Sequence, residues 1–297
     1  DGRHYLVQSA PAGHRLWADA DVVLGVGTRM NPQIPTWGTD DKLKIIRIDI
    51  DPVEVSRVHR PTVAIVGDAA PTLAALAERV GRHNRKRASR EDELTGLKSA
   101  MRAEFERTLA PQIAYLDAIR AELPEDGIFV EELTQVGYVA RFAFPTYRPR
   151  TFITTGYQGT LGFGFATALG VKVARPDTPV VAIAGDGGFM FNVQELATAV
   201  RHGISVVTVV FADGAYGNVR RMQAEDHGGR VIASDLHNPD FVKLAESFGA
   251  QGLRATTPDE LRGVLRRGLD TPGPTLIEVP MDEVPSPWDY IFMRRAR

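Results

Sequence analysis

The chain has 297 residues, with 35 basic against 37 acidic side chains and a net charge of −2. That balance argues against a nucleic-acid or polyanion binder, and the lack of cysteine excludes disulfides, a thiolate nucleophile and Cys-ligated zinc. No run approaches the ~20 apolar residues of a membrane-spanning helix, so no membrane role is expected and a cytoplasmic enzyme fits best.

In chain order, the N-terminus does not read as a signal peptide, because its first apolar run is short and interrupted. It lacks an initiator Met and opens in mid-pattern, so the expectation is a piece of a longer protein. "DVVLGVG" (Asp21–Gly27), "KIIRIDI" (Lys44–Ile50) and "VAIVGD" (Val63–Asp68) are short β-branched runs that end in turn residues, as buried parallel strands do. "APTLAALAERV" (Ala70–Val80) reads as an amphipathic helix. The basic stretch Gly81–Asp92 reads as a solvated linker, since no aromatic residues are interleaved to make a nucleic-acid patch. A helix with a broad polar face follows over Glu91–Leu109.

The second block begins near Pro111. Strands are expected at Thr151–Thr155, Val180–Gly185, Val206–Phe211 and Thr275–Pro280, with helices between them. Asn192 and Glu195 have the spacing of a capping box, with Gly203 at the helix end. Thr257-Pro258-Asp259-Glu260 and Asn238-Pro239 each mark a later helix start. The pattern is α/β throughout: two doubly wound parallel-sheet domains. The expected division is 1–85, a linker helix over 86–110, and 111–297.

In open α/β sheets, ligands bind at the carboxyl ends of strands. "GDGG" (Gly185–Gly188) follows one expected strand directly, and its glycines let backbone N–H groups approach an anion. Asp186 itself repels a bare phosphate, so Mg²⁺, or Ca²⁺ in its place, is the natural mediator. Asp213 stands just past the next strand, so one strand–helix–strand crossover brings both aspartates to neighbouring strand ends. Both also fit plain turn-forming Asp-Gly pairs, and spacing leaves the two readings open.

Three separated motifs carry a resemblance. Gly185–Asn218 resembles the cofactor signature of thiamin-diphosphate enzymes, of the acetolactate synthase and benzoylformate decarboxylase group. "TTGYQGTLGFGFATALG" (Thr154–Gly170) is similar to that family's glycine-rich segment for the aminopyrimidine ring. "GVGTRM…KIIRIDIDPVEV…VAIVGDAAPTLAAL" is similar to the latter part of its middle domain. The resemblance covers nearly the whole chain. It implies a partial middle domain followed by a complete diphosphate-binding domain, acting on a 2-keto acid by decarboxylation, ligation to a second carbonyl compound, or both.

The resemblance also implies roles, residue by residue. Asp186, Asp213 and the Ala215 carbonyl would hold Mg²⁺, while the N–H groups of Gly187, Gly188 and Phe189, after Gly185, face the diphosphate. The Gly159 carbonyl would accept from the 4′-amino group, and Leu161 would be the wedge that bends the cofactor. Tyr138 lies where the family has a Gln/His-containing diphosphate segment, and Ala212-Asp213 replaces the usual Asn-Asn. Met222 falls where acetolactate synthases carry a Trp, with Asn218 at a neighbouring apolar position.

The family's glutamate for N1′ of the pyrimidine belongs to an N-terminal domain and crosses a subunit interface. Nothing before residue 110 resembles that domain, and Glu131 and Glu132 lie in a different segment. The expected partners are that domain, on the same protein or a partner chain, and further copies in a homo-oligomer. Taken alone, the chain is expected to bind cofactor but to be catalytically poor. Two alternatives stay open: a non-catalytic cofactor-binding or assembly module, and a flavin-dependent 2-keto acid oxidase of the same superfamily. "GVGTRM" lacks the full GxGxxG, and FAD or ADP is not favoured. Asp49 and Asp51 read as turn residues and His202 as a solvated helix cap. His227 and Trp288 are weaker candidates for covering the active site.

Overall fold

The structure is a computed structural model that describes residues 1–31, 33–83, 87–156 and 158–297. The chain forms two compact units, Gln8–Met101 with Trp288–Arg297, and Asp1–Val7 with Arg102–Pro287. The boundary expected at 85/86 lies outside the described residues.

The smaller unit starts with α1 (Ala10–Asp19), whose Ser9 side chain accepts from Ala12 N–H and caps the first turn. β1 (Val22–Val26), β2 (Lys44–Asp49) and β3 (Val63–Val66) follow in one parallel sheet, in the order β1-β2-β3. Asp68 caps α2 (Ala69–Val80) through Ala70 N–H. A small core of Trp17, Met30, Ile34, Trp37, Leu43 and Ile45 holds this unit. α3 (Glu91–Thr108) follows.

The larger unit contains α4 (Ala110–Glu122), β4 (Ile128–Glu131), α5 (Gln135–Ala143), β5 (Phe152–Thr154), α6 (Phe163–Ala174), β6 (Val180–Gly185), α7 (Asp186–Met190) and α8 (Glu195–Arg201). β7 (Val207–Ala212), α9 (Gly217–Asp226), α10 (Phe241–Phe248), β8 (Gln251–Arg254), α11 (Pro258–Asp270) and β9 (Thr275–Pro280) complete it. The last element, α12 (Trp288–Ile291), belongs to the smaller unit. All six strands are parallel, in the order β5-β4-β6-β7-β9-β8.

Side chains alternate across each strand, so the two faces of the sheet bury different halves of the same run. Val180, Ala182 and Ala184 of β6 join Phe165 of α6, Leu196 of α8 and Phe241 of α10 in one core. Val181 and Ile183 are equally buried and point to the opposite face, the side on which Tyr115 of α4 meets Phe211 of β7 edge-on. Burial on both faces is why β6 and β7 are unbroken apolar runs.

The strand order also locates a crevice. From β4 the chain moves outward to β5, then returns to β6 on the other side of β4. The sheet therefore reverses direction between β4 and β6, and crevices outside the carboxyl ends of strands open at such reversals.

Two strands were not expected from sequence, β4 and β8. One local expectation is corrected: Asn192 and Glu195 form no capping box. α8 begins at Glu195, Gln194 precedes it without a side-chain cap, and the Asn192 side chain donates instead to the Gly162 carbonyl at 2.7 Å. Thr257 does cap α11, its hydroxyl accepting from Glu260 N–H, while the Glu260 carboxylate accepts from the N–H and hydroxyl of Thr256. The helix after Asn238-Pro239 starts two residues later than its proline suggests, because Asp240 caps it through Lys243 N–H.

Candidate functional site

A cleft of about 210 Å³ opens at the reversal. Three turns supply its walls: Leu133–Gln135 after β4, Gly185–Gly188 after β6, and Asp213–Val219 after β7. Gly159 and Leu161, from the loop that precedes α6, line it as well. The site candidates Tyr138, Gly159, Leu161, Gly185, Asp186, Gly187, Gly188, Asp213 and Ala215 thus all line one cleft. Phe189 does not line it; its ring is fully buried against Phe165 and Phe241.

The two aspartates sit on neighbouring strand ends because Gly185 of β6 pairs in register with Phe211 of β7. Asp186 is 1% exposed. Its Oδ1 accepts from Gly187 N–H at 2.8 Å, and its Oδ2 accepts from Gly214 N–H at 2.8 Å and from Asn238 Nδ2 at 2.6 Å. The carboxylate of one turn therefore ties down the turn after the next strand. Asp213 accepts from Ala215 N–H at 3.2 Å. Burial, and then the charge of Asp186, push the Asp213 carboxyl up to about 6.

Both glycines of the turn are sterically required. A Cβ on Gly187 would stand 2.5 Å from the Tyr216 ring, and one on Gly188 would stand 1.9 Å from Glu132 Oε1. Among the described residues no group of three or more His, Cys, Asp or Glu side chains could hold a metal. The donors that line the cleft are instead the two neighbouring carboxylates of Asp186 and Asp213, with Ala215 beside them. A hard divalent cation fits that set, since it takes oxygen ligands and relieves the repulsion that raises Asp213.

Two adjacent glutamates, both fully buried, flank the loop that carries Gly159 and Leu161. Glu131 accepts from the Thr154 hydroxyl at 2.5 Å and pairs with Arg141, which in turn donates to Thr155. Glu132 accepts from Gly162 N–H at 2.8 Å and Gly164 N–H at 2.6 Å. Burial pushes both carboxyls above the usual carboxylate range, against the Arg141 charge for Glu131 and the two N–H bonds for Glu132. Tyr138 is also held above its ordinary value by burial, and the Asn218 side chain hydrogen-bonds its hydroxyl.

Sequence reasoning missed Asn238, Gln135 and Tyr216. Asn238-Pro239 reads as a helix start, yet Asn238 bonds Asp186. A Cβ on Gly217 would meet both Gln135 Nε2 and Asp213 Oδ2 within 3 Å, so those two side chains converge there. The weaker candidates stay at element ends: His202 is the C-cap of α8 and His227 that of α9. Asp49 and Asp51 accept from backbone N–H groups two residues on, as turn formers do. Met222 is an exposed residue of α9. Trp288 stacks on Phe292 within the smaller unit. A Cβ on Gly25, inside β1, would meet Met30 Sδ at 2.6 Å and Arg47 Cδ at 3.1 Å, so this glycine is required for packing within the smaller unit.

A parallel α/β domain with an acidic, glycine-rich turn at its switch point defines the class: a domain built to hold a phosphorylated cofactor at strand ends. Family models narrow it. Residues 134–279 match the C-terminal TPP-binding domain of thiamine pyrophosphate enzymes, and residues 4–76 match the central domain of the same enzymes. The chain belongs to the thiamin-diphosphate-dependent enzyme family. It is 35% identical over 283 residues to the probable acetolactate synthase large subunit of Methanocaldococcus jannaschii, covering 89% of this chain and 47% of that protein. It is 34% identical over 278 residues to the probable 2-ketoarginine decarboxylase of Pseudomonas aeruginosa, covering 90% and 48%. With sulfoacetaldehyde acetyltransferase of Castellaniella defragrans it shares 29% identity over 294 residues, covering 89% and 49%. The chain spans about half the length of the curated relatives it matches. No helix among the described residues is long and apolar enough to cross a membrane.

Proposed function

We propose that the chain is the cofactor-holding part of a thiamin-diphosphate- and Mg²⁺-dependent enzyme that decarboxylates a 2-keto acid, ligates the product to a second carbonyl compound, or both. The observation that carries this reading is the convergence of Asp186, Asp213, Ala215 and the Gly185–Gly188 turn at adjacent strand ends of the switch point. Bound there, thiamin diphosphate supplies an electron sink for breaking the bond between the carboxylate and carbonyl carbons of a 2-keto acid.

The residues divide that work. Asp186, Asp213 and the Ala215 carbonyl hold Mg²⁺ against the diphosphate. The N–H group of Gly188 would face the same phosphates, while Gly187 N–H is engaged by Asp186 and Phe189 lies outside the cleft. The Gly159 carbonyl would accept from the amino group of the pyrimidine, and Leu161 would supply the apolar contact that positions the cofactor. Tyr138, fixed by Asn218, bounds the cleft on the α5 side. Holding the reacting groups in one geometry is itself a large part of catalysis.

Among the described residues that line the cleft there is no glutamate, and Glu131 and Glu132 are engaged by Arg141 and by backbone N–H groups. In this reading, as the family resemblance implies, the acid that pairs with N1′ is supplied by a pyrimidine-binding domain, on the same protein or a partner chain, in a homo-oligomer. The chain's similarity to a probable 2-ketoarginine decarboxylase and to a probable acetolactate synthase supports both halves of this reading.

The test is calorimetric. The chain binds thiamin diphosphate when Mg²⁺ is present and not in EDTA, and Asp186→Ala abolishes binding. Wild-type affinity in that variant sinks the metal assignment. Turnover of a 2-keto acid appears only when a glutamate-bearing domain is added, and robust turnover by the chain alone contradicts the assignment of N1′ to a separate domain.

A further inference from the structure

We propose that Glu132 is a positioning residue that sets the spacing between the two ends of the cofactor cleft. The proposal rests on the thiamin-diphosphate reading above. Glu132 directly follows β4, the strand at the reversal, and is fully buried. Its two oxygens face different structures. Oε2 accepts from Gly164 N–H in the first turn of α6, and Oε1 accepts from Gly162 N–H at the end of the loop that carries Leu161. Oε1 also lies so close over Gly188 that a Cβ there would be 1.9 Å away.

One carboxylate therefore stands between the loop of Gly159 and Leu161 and the turn of Asp186–Gly188. The same Cβ on Gly188 would lie 3.7 Å from Leu161 Cδ2, so Glu132 Oε1 and the Leu161 side chain face the same open side of Gly188. Helix α6 has glycine at its N-cap and no side-chain cap of its own, and Glu132 supplies that charge from another strand. The other end of the loop is tied separately by Glu131, Arg141 and the hydroxyls of Thr154 and Thr155. With both ends pinned, the place of Leu161 relative to the turn depends on the Glu132 side chain.

A plain helix cap would have the same hydrogen bonds. The two roles differ in what they do to binding. A cap stabilises α6 and acts alike on every ligand. A spacer matters only to a ligand that reaches from the turn to the loop. Glu132→Gln keeps the shape, but its amide nitrogen faces an N–H donor, so one of the two bonds is lost and the carboxylate charge with it.

Four proteins make the experiment: wild type, Glu132→Gln, Leu161→Ala and the double variant. Binding of thiamin diphosphate and of inorganic pyrophosphate is measured by calorimetry in Mg²⁺, and the near-ultraviolet circular dichroism of bound thiamin diphosphate is recorded. Glu132→Gln weakens thiamin diphosphate about tenfold, alters its dichroism, and changes pyrophosphate affinity less than twofold. In the Leu161→Ala background the Glu132→Gln loss disappears, because its route is through that side chain. Additive losses, equal losses for both ligands, or no loss overturn the spacer role and leave the cofactor reading standing. A wild-type chain that binds pyrophosphate but not thiamin diphosphate overturns both. If Glu132→Gln does not fold, Glu132→Asp, which keeps the charge on a shorter stem, takes its place in the cycle with the same expected and overturning results.

Discussion

Asp213 carries the electrostatic cost of the site. Its carboxyl titrates at about 6 in the folded chain and near 3.9 when unfolded. A group with a raised carboxyl pKa keeps its proton in the fold after the unfolded chain has lost it, so folding is favoured at low pH and that contribution fades as pH rises from about 4 to about 6. For the metal-free protein, the stability of wild type relative to Asp213→Asn therefore falls over that interval and is level above it. Urea unfolding in EDTA at several pH values measures the difference, which is on the order of 1 kcal/mol after allowance for the partly exposed side chain. A constant difference across the interval contradicts the assignment. If Asp213 holds Mg²⁺ as proposed, the ion competes with the same proton, and its affinity, measured by calorimetry, rises as pH passes through 6.

At the scale of elements, two capping signals of similar appearance have opposite fates. Thr257 caps α11, and Thr257→Ala costs about 1 kcal/mol, read as a lower unfolding midpoint with unchanged cofactor binding. Asn192 caps nothing and instead holds the Gly162 carbonyl. Asn192→Ala leaves the midpoint within about 0.5 kcal/mol but weakens thiamin diphosphate by loosening the loop of Leu161; a variant that lost stability and not affinity would place Asn192 with the caps. The same contrast explains what was legible in sequence. β6 and β7 are long apolar runs that end in glycine-flanked aspartates, so Asp186 and Asp213 stood out. β4 is four residues long, and the acidic pair Glu131-Glu132 straddles its end where an apolar run ending in turn residues was sought. The strand was missed, and Glu132 with it. Asn192 and Asn238 carried ordinary local signals that tertiary contacts overrode; no spacing rule reveals a hydrogen bond to a residue 30 or 52 positions away.

For the whole molecule, each unit has its own sheet and core, and only the larger holds the cleft. The described core cluster of the smaller unit is small, and α2 buries none of its residues, with Leu73, Leu76 and Val80 of its apolar stripe exposed. A three-stranded sheet with that little burial unfolds first, and calorimetry of the chain resolves two transitions. On the proposed function, thiamin diphosphate with Mg²⁺ binds the folded larger unit, so it is expected to act on the second transition. At a hundred times its dissociation constant it adds about 2.7 kcal/mol, equivalent to a shift of roughly 5–10 °C for a domain of this size. The first transition does not move. If both transitions shift together, the units are coupled through the cofactor, and its binding site extends beyond the residues named for the larger unit. If neither shifts, the cleft does not hold the cofactor under these conditions, and the metal assignment to Asp186 and Asp213 fails with it.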